Sequence, residues 1–261
     1  MHPIERLRHV ARSGALAHRV LVGESGPALA RLGGDHGALV LSCRRLVAHH
    51  PSSGPLAWLC ARVLCGHDAR ADAWGCITEM DDDPTAQHLV ADLPDDATVV
   101  VLGWPEVAAG ALAGRGDVTA LVIDAGGEGA ELALRLRAID GDATDVAEAG
   151  TAAAVVAADL VVLEADALGP DGAVAASGSY AAAAVARHAG VPVWLVAGTG
   201  RYLPAGMWSG LVDRLARPEP WAAATEVVPL GLVDAVVRPG GRSVPAGPAG
   251  PADCPEAPEL R

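Results

Sequence analysis

Apolar positions divide the chain into two halves with different periods. Ile4, Leu7, Val10 and Ala11 fall on one helical face, and Ala15–Leu32, Ala38–His49 and Pro55–Leu64 are three further amphipathic stretches. The segment HHPSSGPL between the last two reads as a loop and a helix start, with Pro55 in the first turn. His67 to Asp83 fits no single pattern, and its acidic run Asp81–Asp83 reads as a solvated loop or a helix start. Thr85–Leu93 is predicted to be a helix leading into Pro94. From Thr98 onward, short apolar runs alternate with helical stretches. The strands are Thr98–Leu102, Thr119–Ile123, Ala143–Val146, Asp159–Ala165 and Val191–Ala197. The helices between them are Glu106–Ala113, Gly129–Ile139, Thr151–Ala157 and Tyr180–Ala189. Met207–Leu215 is predicted to be helical, and TEVVPLGLVDAVV closes the unit. This order predicts an N-terminal helical domain (1–93) followed by a doubly wound, Rossmann-like parallel sheet domain (94–238). Residues 239–261 are rich in Pro and Gly and read as a disordered tail.

The richest stretch runs from Asp159 to Pro204. An apolar strand ends in Glu164-Ala165-Asp166, and Gly169, Pro170, Asp171 and Gly172 form a turn. Ser177-Gly178-Ser179 starts the Ala-rich helix that Gly190 stops. Ligands of open α/β sheets bind outside the carboxyl ends of the strands. Asp166, Ser177, Ser179, Thr199 and Arg201 should converge there, with Asp166 accepting from ligand hydroxyls and Arg201 serving as an anion contact. Each has a plainer reading. A carboxylate at a strand end caps turns, Ser-Gly-Ser caps helices, and a surface position is ordinary for Arg. Glu164, two residues before Asp166, could pair with it for acid–base work but reads rather as a paired or solvated surface position. Gly126, Gly127 and Gly129 form a Gly-rich strand-to-helix turn, but Asp124 and Glu128 beside it would repel a phosphate. The spacing of Cys60, Cys65, His67 and Cys76 matches no usual zinc site, and Cys60 reads as a helix core residue. No metal and no cofactor is expected.

Composition narrows the chemistry further. The chain of 261 residues is 51% hydrophobic, and its 19 basic residues are all Arg. Without Lys there is no Schiff base, no P-loop lysine and no lysine general base. A net charge of −13 disfavours nucleic acid and anionic membranes as partners. Five irregularly spaced Cys and no apolar run approaching the roughly 20 residues of a membrane span point to a cytoplasmic protein with reduced thiols.

Several segments together resemble the alpha/beta/delta regulatory subunits of initiation factor 2B. LEADALGPDG is similar to that family's Gly-Ala-Asp and the turn after it, SGSY to its Ile-Gly-Thr-Tyr, and AGTGRYLP to its Ala-Glu-Thr-Tyr-Lys-Phe. Nearer the start, SGALAHRVL resembles the family's Ser-Gly-Ala opening, and RRLVAHHPSSGPLAWLCARVL its helix pair containing Arg-Pro-Thr. The superfamily includes methylthioribose-1-phosphate and ribose-1,5-bisphosphate isomerases. The resemblance implies that Asp166 matches the isomerases' catalytic Asp, with Gly14 and His50 closing the crevice from the first half. It also implies what is missing. The catalytic Cys position holds Gly103 or Trp104, the Asn-Lys pair is replaced by Ala175-Ala176-Ser177, and two phosphate-binding Arg positions hold His50 and the Ala125-Gly126-Gly127 segment. A non-catalytic or ligand-sensing member is therefore expected, binding a small phosphorylated, anionic or polyol metabolite. The alternatives are a sugar-phosphate isomerase with a rearranged pocket and a translation-linked interaction subunit. Family members pair through their α/β domains, so a homodimer is expected, with LVDAVV as a candidate interface segment.

Overall fold

A computed structural model describes residues 17–245 and 251–261. The expected helix at Ile4–Ala11 and the candidate Gly14 lie outside the described residues. The helical half contains α1 (His18–Ala30), α2 (His36–His49), α3 (Gly54–Cys65) and α4 (Ala69–Asp81). Short polar side chains start three of them: Asp35, Ser53 and Asp68 each accept a backbone N–H of the following turn. Helix α4 occupies the stretch without a clear sequence pattern. The acidic run after it is a junction, where Asp83 Oδ1 accepts Thr85 N at 3.0 Å at the start of α5 (Thr85–Asp92).

The α/β half follows the predicted alternation. It comprises β1 (Thr98–Leu102), α6 (Glu106–Leu112), β2 (Thr119–Ile123), α7 (Gly129–Arg137), β3 (Asp142–Val146), α8 (Thr151–Ala157) and β4 (Leu160–Glu164). After a hairpin come α9 (Ser179–Ala189), β7 (Val193–Val196) and α10 (Ala205–Leu215). The last strands are β8 (Thr225–Pro229), β9 (Ala235–Arg238) and β10 (Gly241–Ser243). The main sheet has the order β10-β9-β7-β4-β1-β2-β3 and is parallel except at β10. The strand order reverses between β1 and β4, and the ends of these two strands frame the site.

Both faces of the sheet are covered, which is why its strands read as unbroken apolar runs. Val100, Val161, Leu163, Val193 and Leu195 pack into a core on one face. Their neighbours Val99, Val101, Leu160, Val162 and Val196 pack on the other. The alternation of side chains along each strand thus divides one apolar sequence between two cores. A third core joins the helical half around Trp58, Leu29 and Leu59.

Three sequence expectations change. The link between β4 and α9 is not a simple turn. It carries β5 (Ala167–Leu168) and β6 (Gly172–Ala176), which pair with each other, and β6 also pairs with β8 to complete a second, antiparallel sheet. LVDAVV is no surface segment: Val233, Ala235, Val236 and Val237 are buried in and beside β9. Nor are residues 239–261 simply a loose tail. Gly241–Ser243 pairs with β9, and Cys254, Ala257 and Leu260 are buried against the helical core. Polar contacts fix this last segment. Trp58 Nε1 donates to Asp253 O at 3.0 Å, Asp253 Oδ2 accepts Tyr202 N at 3.0 Å, and Arg44 Nε donates to Glu259 O at 2.7 Å. Proline does not prevent packing of a segment whose backbone partners lie on other elements.

Candidate functional site

Two strand ends and two helix starts surround a cleft between the halves. Strand β1 runs out at Leu102 into Gly103, Trp104 and Pro105, and α6 begins at Glu106. Strand β4 ends at Glu164, two residues before Asp166. Helix α9 opens at Ser179 after Gly178, whose φ of +93° is open to glycine at little cost. The helical half closes the cleft with His18 at the start of α1 and with His50 and Ser53 around the α2–α3 loop. The enclosed volume is about 620 Å³, in the range of small-molecule sites.

The two halves are joined through Gly54 and His18. The Gly54 N–H donates to Asp166 O at 3.0 Å, and a Cβ on Gly54 would stand 2.8 Å from that oxygen. His18 adds two ties. Its backbone N–H donates to Glu106 Oε1 at 2.6 Å, and its ring Nε2 lies 3.0 Å from Asp166 Oδ1. Ring Nδ1 lies 2.9 Å from Ser53 Oγ, which also accepts Leu56 N at 3.3 Å.

At the cleft floor lies a buried ion pair, with Glu164 in the lining and Arg201 behind it. Arg201 Nη1 is 2.9 Å from Glu164 Oε1, and Nη2 is 3.9 Å from Glu106 Oε2. The guanidinium also donates to Ala165 O. Glu164 Oε2 accepts the N–H groups of Val107 and Ala108, each at 2.9 Å, so Glu164 caps α6. Burial pushes the Glu164 carboxyl above its usual range, against the pull of Arg201 and the two amides. Burial also opposes the charge on Arg201, but Glu164, Glu106 and Asp166 outweigh it and hold its pKa above the ordinary value.

The predicted site residues therefore separate. Asp166, Ser179 and His50 line the cleft together. Arg201 does not: it is 3% exposed and its charge is committed to Glu164, so it is a structural cation rather than an anion contact. Ser177 is tied to the segment before β8, with Oγ donating to Ala223 O and N donating to Ala224 O at 3.0 Å. Thr199 N donates to Asp83 Oδ2 at 2.9 Å and anchors the α4–α5 junction, away from the cleft. Glu164 is paired, as one of its readings had it, but buried rather than solvated. Sequence reasoning missed His18, Ser53 and Glu106. The SSGP start of α3 pointed only to a cap, and nothing in ALAHRVL distinguishes His18 from a helix-face residue.

The described lining is acidic. Glu106, Glu128, Glu131, Glu164 and Asp166 contribute carboxylates, and His18 and His50 are the basic residues among them. Gly103, where the resemblance places a catalytic Cys, has φ +60°, and a Cβ there would lie 3.2 Å from Ala125 O. That backbone favours glycine over any side chain. Among the described residues, no three His, Cys, Asp or Glu side chains are placed to hold a metal ion, and no helix is long and apolar enough to cross a membrane.

The architecture is that of an α/β protein with a helical layer in front of a doubly wound sheet, the cleft lying where the strand order reverses. Solved structures share it over nearly their whole length. The translation initiation factor eIF-2B of Pyrococcus horikoshii OT3 superposes with a TM-score of 0.78 at 14% identity, over 93% of this chain and 97% of its own. A chain of the tetrameric eIF2B-beta2-delta2 complex from C. thermophilum gives 0.73 at 16% identity, over 93% and 90%. The 5-methylthioribose 1-phosphate isomerase of P. horikoshii OT3 gives 0.66 at 15% identity, over 93% and 84%. No protein-family model and no curated sequence matches the chain. The fold expected from the resemblance is thus the fold observed.

Proposed function

We propose that this chain is an initiation factor 2B-like protein whose cleft binds a small, hydroxyl-rich metabolite without converting it. The observation that carries the reading is Asp166. It stands at the carboxyl end of β4, its side chain is 28% exposed to the cleft, and His18 bonds only one of its carboxylate oxygens. The other oxygen has no hydrogen-bond donor among the described residues and is available to a ligand hydroxyl. The acidic lining argues against the phosphorylated ligand that the resemblance suggested, because carboxylates beside a phosphate repel it and Arg201 is already paired. A polyol or sugar fits the same walls.

The non-catalytic part of the reading rests on Gly103 and Glu164. The first position is shaped for glycine, and the second carboxylate is held by two amides and a guanidinium, which takes Glu164 out of acid–base work beside Asp166. Thermal melting with a panel of free sugars, polyols and sugar phosphates tests the ligand class. Free sugars or polyols should raise the melting temperature and sugar phosphates should not; the reverse order would overturn the reading. Turnover of methylthioribose-1-phosphate by the pure protein would replace the binding function with the isomerase alternative. The reading also includes a homodimer paired through the α/β half, in cytoplasm that keeps the five cysteines free. Trp221 (81%) and Tyr180 (45%) of that half are exposed large apolar side chains that a partner could cover. A monomer by sedimentation at micromolar concentration would contradict the dimer.

A further inference from the structure

Three side chains far apart in sequence form one line of hydrogen bonds in the cleft wall. Ser53 Oγ is 2.9 Å from His18 Nδ1, and His18 Nε2 is 3.0 Å from Asp166 Oδ1. The line runs from inside to outside: Ser53 is 2% exposed, and the side chains of His18 and Asp166 are 12% and 28% exposed. An ionised carboxylate only accepts hydrogen bonds, so Nε2 carries a proton. In the neutral ring Nδ1 then accepts, and the Ser53 hydroxyl donates to it. Leu56 N–H, at 3.3 Å from Ser53 Oγ, occupies one of the acceptor sites of that hydroxyl and leaves its proton for His18.

Serine, histidine and aspartate in a row invite comparison with a hydrolase triad, but the surroundings do not support a nucleophile. The Gly54 N–H is engaged by Asp166 O, Pro55 has no N–H, and the Leu56 N–H is engaged by Ser53 itself. No amide next to Ser53 is left for an oxyanion. The open end of the line is Asp166, not Ser53.

We propose that His18 is the positioning residue of the cleft: locked in one tautomer by Ser53, it holds Asp166 Oδ1 and aims Oδ2 at a hydroxyl of a neutral sugar or polyol. The inference rests on the binding function proposed above. A carboxylate turned by a fixed second partner is pre-organised, so its bond to the ligand forms without ordering a free rotor. The backbone of His18 is itself fixed by Glu106 Oε1, which lends the ring a rigid base.

The test has one arm without ligand and one with it. Recorded at a pH where the ring is neutral, proton–nitrogen correlation spectra of protein with 15N-labelled histidine should show the His18 proton on Nε2. Ser53→Ala should move the Nδ1 resonance toward that of an unbonded ring nitrogen, and Ser53→Thr should restore it. A protonated Nδ1 in the neutral ring, or a ring indifferent to Ser53→Ala, overturns the inference. In the second arm D-ribose and ribitol are the probes, titrated calorimetrically. His18→Ala should weaken binding about tenfold, the scale of one hydrogen bond to a charged group, with Ser53→Ala in between and Ser53→Thr close to wild type. Equal affinities for wild type, His18→Ala and Ser53→Ala refute the positioning role. If the spectra behave as expected but neither probe binds wild type at millimolar concentration, the binding function fails, and with it the assignment of His18 to a ligand.

Discussion

Replacing Arg201 with alanine should destabilise the protein by about 3–5 kcal/mol, the range for removing one partner of a buried pair. The guanidinium is 4% exposed and sits 2.9 Å from a Glu164 carboxylate that is 7% exposed. At an effective dielectric constant of about 20, that separation corresponds to roughly 6 kcal/mol of attraction, which the variant loses together with the bond to Ala165 O. The amides of Val107 and Ala108 still solvate Glu164, so the lower half of the range is expected. The pH dependence gives a second signature. Burial already raises Glu164, so the folded state holds its proton to higher pH than the unfolded chain does. The contribution of this group is fully present below the unfolded value of about 4.3 and is lost as pH rises through the raised folded value. Without Arg201 that loss extends to higher pH, and the variant should be penalised more at pH 8 than at pH 5. Urea unfolding at both pH values measures this, with Glu164→Gln in the variant background expected to recover stability at pH 8. A loss below about 1 kcal/mol at pH 8, or equal losses at both pH values, would refute the buried-pair reasoning.

Two shorter predictions follow from packing. Gly54→Ala should cost about 1–3 kcal/mol, because its Cβ meets Asp166 O and Ala167 at 2.8–3.1 Å, and backbone atoms there cannot turn aside; urea unfolding checks it. Deleting residues 252–261 should destabilise by at least about 3 kcal/mol, since it strips Cys254 and Leu260 from the core and uncovers the Trp58 indole N–H; an unchanged unfolding midpoint would mean the segment is not packed as described.

What sequence could and could not convey follows from the distances over which each feature is determined. The strands β1, β2, β4 and β7 were legible because a strand buried on both faces is apolar at nearly every position, a local property. Strand β6, GAVAA, was not, because small residues favour no element and only pairing with β5 and with the distant β8 makes it a strand. The closing segment misled for a related reason: Pro and Gly dominate its composition, while three buried side chains decide its position. In the site, Asp166 was legible from its place at a strand end. Arg201 follows the next strand in the same way, yet its side chain turns inward to Glu164, a choice that sequence order does not encode. His18 and Ser53 escaped notice because their meaning lies in a contact spanning 148 positions to Asp166.

The central claim is that Asp166 anchors a neutral, hydroxyl-bearing ligand in the β1–β4 cleft. Its most direct test is ligand-induced stabilisation of wild type and Asp166→Ala, measured side by side by thermal melting in D-ribose, ribitol and ribose 5-phosphate. At a hundred times its dissociation constant a ligand stabilises by about 2.7 kcal/mol, well within the resolution of the method. The account predicts a shift for wild type in at least one of the two neutral compounds, none in ribose 5-phosphate, and no shift in any of the three for Asp166→Ala. A shift that survives in Asp166→Ala, or one that ribose 5-phosphate alone produces, would contradict it.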